Sequence, residues 1–242
     1  PRAMILLSDD SAANEKVPLK VQPFPLAQVR LRGGPFLDAM NANLKYMNLL
    51  PPDRLLHMFR LNAGLPSTAE PLGGWESPTT ELRGHLTGGH FLSASALMYS
   101  STGDASVKAK GDLMVAGLAK CQQALGGQYL SAFPTEFFDR LRAHKPVWAP
   151  FYTYHKIMAG HIDMYQLCGN EQALQTAENM AHWAGAWVKP LSDEEMARVQ
   201  RTEFGGMAEA HYNLYGITGK QEYLDTGRRF DHKYIFDPLA AN

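Results

Sequence analysis

From about residue 84 onward the chain alternates between two kinds of apolar segment. The first kind is apolar on nearly every side and ends in a tyrosine. Three residues and a glycine follow, and then a second segment whose apolar positions fall on one face. The pattern occurs in HFLSASALMYSSTGDASVKAK, AGHIDMYQLCGNEQALQTAEN and AEAHYNLYGITGKQEYLDTGR, which align Tyr99 with Tyr165 and Tyr215, and Gly103 with Gly169 and Gly219. A glycine suits the left-handed position that ends a helix. Asp104 and Asn170 then suit the N-cap of the next helix. Each unit predicts a helical hairpin of roughly 40–60 residues, and such hairpins stack into solenoids or close into an α/α toroid. In the second segment of the first unit, Leu113, Met114, Leu118, Cys121 and Leu125 keep a 3.6-residue period while Lys108, Lys110 and Lys120 fall on other faces. That is an outer, amphipathic helix; FLSASALMY and KIMAGHIDMY, apolar all round, predict inner, buried ones.

Upstream, residues 1–24 read as an irregular lead-in. LAQVRL, residues 26–31, alternates like a short strand and is closed by Gly33 and Gly34. A helical pattern starts near Pro35 and stops at Pro51-Pro52, which cannot continue a helix. Asp53 is placed to cap the next helix, RLLHMFRLNAGL. Residues 64–80 are rich in Gly, Pro, Ser and Thr and predict a long loop, a length that is often functional.

Counting back from the repeat glycines puts unusual residues in equivalent places. His90 stands 13 residues before Gly103, His155 stands 14 before Gly169 and Glu203 stands 16 before Gly219. At a helical rise these offsets span about 20 Å, so all three belong at one rim, the N-terminal ends of the inner helices. Gly88-Gly89 and Gly205-Gly206 share that rim and permit close approach. Pro150 fits the first turn of the helix carrying His155. Trp75, Trp148, Phe151, Tyr152 and Tyr154 lie nearby; they suit either a sugar ring or the packing of loops onto the toroid. The carboxylates nearby are Glu76, Glu81, Glu136, Asp139 and Glu203. His85 and His90 are five residues apart, which on an α-helix turns them about 140° from each other. They are not a zinc pair, and no stretch has metal-ligand spacing.

Composition narrows the class. The chain has 242 residues, 45% hydrophobic and 19% charged, which is globular rather than disordered. Lys plus Arg number 23 and Asp plus Glu 24, with no basic stripe, which argues against nucleic acid or an anionic membrane as the main partner. No apolar run approaches the ~20 residues of a membrane span. Cys121 and Cys168 are expected to be free thiols, with a disulfide left open. There is no phosphate loop, no G-x-G-x-x-G and no G-x-S-x-G.

DRLLHMFRLNAGL, GWESPTTELRGHLTGGHFLSASALMYSSTGD, FPTEFFDRL, VWAPFYTYHKIMAGHIDMY and EFGGMAEAHYNLYGITG together resemble the N-terminal half of glycoside hydrolase family 127, the β-L-arabinofuranosidase family. The resemblance runs from about residue 25 to the end. It implies an all-α fold of the (α/α)6 toroid type, here an incomplete barrel. It also implies an exo-acting retaining glycosidase on terminal β-L-arabinofuranosyl or related plant-glycan linkages. By motif, His90 of GGHFLSA and His155 of YTYHK fall on sugar-binding positions of the family. Trp75 and Glu76 of GWE, Tyr152 and Glu203 of EFGG are further candidates, with His85 second in rank. Ala208 stands where the family often shows Asn.

The resemblance also implies a zinc-bound cysteine as nucleophile and a glutamate as acid/base, on motifs outside this sequence. The contexts of Cys121 and Cys168 do not match those motifs. The chain is therefore expected to hold part of the sugar pocket, with no catalytic residue and no zinc ligand of its own. Its expected partners are the carbohydrate substrate and the remainder of its own catalytic domain, and a secreted or periplasmic setting suits such an enzyme. Two other readings fit an α/α toroid: a sugar epimerase using rim histidines as acid and base, and a non-enzymatic helical repeat that binds a peptide or glycan.

Overall fold

The computed structural model describes residues 16–17, 21 and 24–241, so most of the lead-in assigned to residues 1–24 lies outside the described residues. Among those described there are eleven α-helices and no strand. Two of them, α1 (Pro35–Leu49) and α2 (Pro52–Asn62), precede the repeats. The first hairpin is α3 (Phe91–Thr102) with α4 (Ala105–Ala124), followed by the short α5 (Glu136–Arg142). The second is α6 (Pro150–Cys168) with α7 (Glu171–Val188), followed by α8 (Asp193–Val199). The third is α9 (Met207–Thr218) with α10 (Gln221–Arg229), followed by α11 (Lys233–Ala240).

The three hairpin turns are built alike. Gly103, Gly169 and Gly219 sit at φ of 76°, 68° and 70°. Each donates its N–H to the carbonyl of the aligned tyrosine: Tyr99 at 2.7 Å, Tyr165 at 2.9 Å and Tyr215 at 2.7 Å. Left-handed backbone at a side-chain-bearing residue costs about 1–2 kcal/mol, which is why glycine ends each inner helix. The Asp104 carboxylate accepts from the N–H groups of Ser106 and Val107, and Asn170 Oδ1 accepts from Ala173 N–H, as their spacing predicts. In the third turn Lys220 holds the N-cap without a side-chain bond there, and its ammonium pairs with Glu178 of α7 instead.

The hairpins form two layers. Inner α3 packs on α6 and α6 on α9, while outer α4 packs on α7 and α7 on α10; α2 extends the outer layer beside α4. The tightest crossing joins the start of the first inner helix to α6. A Cβ on Gly160 would lie 2.5 Å from the Gly89 carbonyl oxygen, and one on Gly89 would lie 2.6 Å from the Lys156 carbonyl carbon. Backbone therefore lies on backbone at this point. Between the layers, Tyr129, Phe138, Phe151, Tyr154, Trp183 and Trp187 interlock, mostly edge-to-face or tilted. Tyr154 Oη also donates to Met180 O at 3.1 Å and ties α6 to α7.

Three expectations change. LAQVRL forms a 3-10 turn at Leu26–Gln28 and no strand, because no strand among the described residues pairs with its backbone, and Val29 and Leu31 stay exposed. Asp53 is not an N-cap: the helix begins at Pro52, and Asp53 pairs with Arg60 two turns along at 2.9 Å. The inner helices are not buried on every side either. Leu97 of α3 is 45% exposed, and Glu209 and Asn213 of α9 are exposed. α6, with a neighbour on each flank, has no exposed residue along its length.

His161 and His211 are core residues of α6 and α9, each donating Nδ1–H to the carbonyl four residues back, Ile157 and Met207, at 2.8 Å. Burial outweighs those bonds and pushes both imidazoles down to about 4.

Two outcomes follow from this packing. Gly160→Ala, which drives a methyl into the Gly89 carbonyl, is expected to cost more stability in urea unfolding than Gly103→Ala, which meets open space and costs only about 1–2 kcal/mol of backbone strain. Equal costs would mean that the crossing is not tight. Second, between pH ~6.5 and ~4 the unfolded chain binds protons that folded His161 and His211 refuse. Stability is then complete above about 6.5 and falls as the pH drops through this window, by up to about 1.4 kcal/mol per pH unit for each histidine. Urea midpoints at pH 7 and pH 5 check this, and His161→Leu should flatten the slope.

Candidate functional site

The site begins in the loop after α2. A 3-10 turn, Gly74–Glu76, points its two functional side chains opposite ways: Trp75 is 63% exposed and Glu76 is buried. A single π-helical turn, His85–His90, then leads into α3. Glycine makes that turn possible. A Cβ on Gly88 would lie 2.3 Å from Phe59 Cζ of α2, and Gly89 rests on α6, so the turn is pressed between two helices.

The Glu76 carboxylate lies against this turn. Its Oε2 accepts from Gly84 N–H at 2.7 Å and from the Thr87 hydroxyl at 3.0 Å. Its Oε1 accepts from Leu86 N–H at 2.9 Å and stands 3.0 Å from His85 Nδ1.

The π turn corrects the placement of the two histidines. Hydrogen bonding from i to i+5 widens the turn, so residues five apart fall in register. The rings of His85 and His90 meet edge-to-face with centroids 5.8 Å apart, rather than pointing ~140° from each other as an α-helix would require. His85 also neighbours Trp75 at 6.0 Å and Tyr152 at 6.1 Å, and Trp75 meets Trp148 at 6.3 Å. Trp148 is held by its backbone N–H, which donates to Glu81 Oε2 at 2.6 Å, while Glu81 pairs with Arg140 at 2.7 Å.

His155 enters from α6, one turn after Tyr152. The glycine pair of the loop before α9 closes over its ring: a Cβ on Gly205 would lie 2.8 Å from Nδ1 and one on Gly206 2.8 Å from Nε2. Burial, followed by the positive charge of Lys156, pushes this imidazole down to about 3, so it is neutral at ordinary pH. His90 is exposed yet also shifted down, by desolvation first and then by Lys156 and His85.

Of the sequence-predicted residues, His85, His90, Trp75, Tyr152 and His155 converge on one face. Glu76 lies behind that face with both oxygens engaged by protein. Glu203 is exposed in the loop before α9 and makes no hydrogen bond or ion pair among the described residues. Its offset from Gly219 was counted as helix, whereas α9 starts only at Met207. Glu209, in the first turn of α9, stands beside His155 instead, with its Oε2 also 2.8 Å from the Cβ position of Gly206. Lys156, whose ammonium is 5.2 Å from the centre of the Tyr152 ring, and Asp163 were missed too. Desolvation pushes the Asp163 carboxyl up, against a hydrogen bond from Ser93 and with help from the charge of Glu209. The signal for both was in the sequence: Tyr152, Lys156 and Asp163 stand at i, i+4 and i+11, a polar stripe along one face of an otherwise apolar helix.

The two cysteines are buried free thiols on the outer helix α4 and at the end of α6. Burial pushes both up to about 11, the opposite of what a metal-bound or nucleophilic thiolate requires. Among the described residues no three His, Cys, Asp or Glu side chains converge as a metal-binding group. The zinc implied by the resemblance does not fit the residues present. No described helix is long and apolar enough to cross a membrane. A groove on the outer surface between α7 and α10, lined by Ala181, Gly185, Tyr223 and Thr226, lies in a different layer from the histidines and brings none of these site residues together.

A comparison with curated proteins gives no match. The family described as Beta-L-arabinofuranosidase, GH127 catalytic domain, matches residues 28–242, which takes in every helix of the structure. The chain belongs to this β-L-arabinofuranosidase family of glycoside hydrolases, and its matched residues are catalytic-domain residues of that family.

Proposed function

We propose that the histidine and aromatic face binds the terminal sugar of a β-L-arabinofuranosyl or related plant-glycan linkage, as one wall of the pocket of a retaining exo-glycosidase. The observation that carries this reading is the convergence of His85, His90 and His155 with Tyr152 and the exposed Trp75 at one end of the inner helices. A neutral imidazole offers one donor and one acceptor, which matches a sugar hydroxyl. An exposed indole gives an apolar face to the C–H side of the ring, and Lys156 and Glu209 add charged hydrogen-bonding groups at the edge. These residues bind and orient; the nucleophile is supplied by neither Cys121 nor Cys168.

The remainder of the catalytic domain is the partner this reading requires. The first and last helices support it: α1 buries only Met47 and α11 buries nothing, leaving Phe36, Phe236 and Leu239 more than half exposed. Such apolar faces mark surfaces that another element covers. Zinc would then be held by that remainder, and a secreted or periplasmic setting fits a plant-glycan substrate. The epimerase reading is weaker, because an imidazole held near 3 is too poor a base for proton abstraction at neutral pH.

Titration of the chain with L-arabinose, followed by calorimetry, tests the pocket. Trp75→Ala and His90→Ala are each expected to weaken binding about tenfold or more with little change in Tm, since both side chains reach solvent. Binding unaffected by either change would overturn the assignment of this face. Residues 1–242 by themselves are expected to release no p-nitrophenol from p-nitrophenyl β-L-arabinofuranoside, and measurable release would show that a nucleophile is present after all.

A further inference from the structure

We infer that Glu76 is a positioning residue: its carboxylate holds His85 and the π turn so that His85 presents Nε2 as a hydrogen-bond acceptor in the sugar pocket. This rests on the sugar-binding reading and assigns Glu76 a role behind the pocket wall instead of against the ligand. The surroundings of His85 fix its tautomer. Its Nδ1 lies 2.8 Å from the Leu82 carbonyl oxygen and 3.0 Å from Glu76 Oε1. Both neighbours are acceptors, so Nδ1 bears the proton. In the neutral ring the lone pair then sits on Nε2. That nitrogen has no protein partner among the described residues, and the ring carrying it is bounded by Trp75, His90 and Tyr152.

The buried Glu76 carboxylate also accepts the Gly84 and Leu86 N–H groups and the Thr87 hydroxyl. Gly84 precedes the π turn, and Leu86 and Thr87 belong to it. Four contacts therefore fix the one turn whose i to i+5 geometry puts His85 and His90 in register. With every contact satisfied by protein, the carboxylate has no lone pair facing the pocket. An orienting carboxylate behind an imidazole sets the tautomer and the direction of the ring, the same logic that governs the supporting shell of metal-bound histidines.

The test is long-range proton–nitrogen NMR of the histidine-labelled chain and of Glu76→Gln, with an L-arabinose titration of each. In the unmodified chain His85 is expected as the Nδ1–H tautomer, with a nuclear Overhauser contact to the His90 ring. Glu76→Gln replaces one acceptor oxygen by a donor that opposes the N–H and O–H groups of the turn. It is expected to lose the ring contact and to weaken L-arabinose binding about tenfold or more at unchanged far-UV circular dichroism. Thr87→Val, which removes a single contact to the carboxylate, is expected to give the same two changes at smaller size, and it serves if Glu76→Gln does not fold. An Nε2–H tautomer of His85 in the unmodified chain would overturn the proposal. So would weakened binding with the ring contact intact, which would mean that Glu76 touches the sugar, and so would variants that keep both. If the unmodified chain binds no L-arabinose, the sugar reading fails, while the tautomer and the ring contact still decide the role of Glu76.

Discussion

The placement of the site depends on the contact of Gly89 with Gly160. Two helices normally keep their axes 8–10 Å apart because side chains stand between them. Here neither element has a side chain at the crossing, and a methyl on Gly160 would lie 2.5 Å from the Gly89 carbonyl oxygen. The end of the π turn is thereby seated against α6 within a narrow tolerance. Since His85 and His90 are carried by that turn and Tyr152, His155 and Lys156 by α6, this backbone contact sets the distances between the two halves of the site. Phe59, pressed under Gly88 from the opposite side, keeps the turn from lifting away.

The electrostatics of the site follow from that closeness. Seating the turn on α6 brings His85, His90, His155 and the Lys156 ammonium close together. Desolvation, and after it the positive charge of Lys156, shifts both His155 and His90 toward their neutral forms. The buried negative charge in the neighbourhood, Glu76, is compensated by hydrogen bonds from backbone, hydroxyl and imidazole. The result is a wall of hydrogen-bonding imidazoles beside the exposed indoles of Trp75 and Trp148. The same desolvation acts on Cys121 and Cys168 with the opposite consequence, suppressing their thiolates and leaving them as packing residues.

Much of this architecture was legible along the chain. The Tyr-to-Gly spacing marked all three hairpin turns, and in each the glycine N–H does bond to the aligned tyrosine carbonyl. Asp104 and Asn170 cap as their positions indicate, because capping is settled within four residues of chain. His90 and His155 were placed at one rim by counting alone, and they do share one face. Glu203 stands in the loop before α9 and not on the helix its spacing predicts, and LAQVRL, with no partner strand among the described residues, folds into a 3-10 turn. Glu209 carries no such signal, because in sequence it looks like an ordinary charged residue in the first turn of a helix.

The sequence by itself determined the local and periodic features: the hairpin repeat, the order of inner and outer helices, the caps and the turn glycines. These depend on hydrogen bonds and side-chain periods that span only a few residues. The tertiary structure alone decided that HLTGGH is a π turn and not the first turn of an α-helix. That choice arises because Phe59, some thirty residues earlier, and the backbone of α6, some seventy residues later, both claim the space a side chain at Gly88 or Gly89 would need. It is this long-range compression that puts His85 beside His90 and closes the face onto which the sequence could only gather candidates.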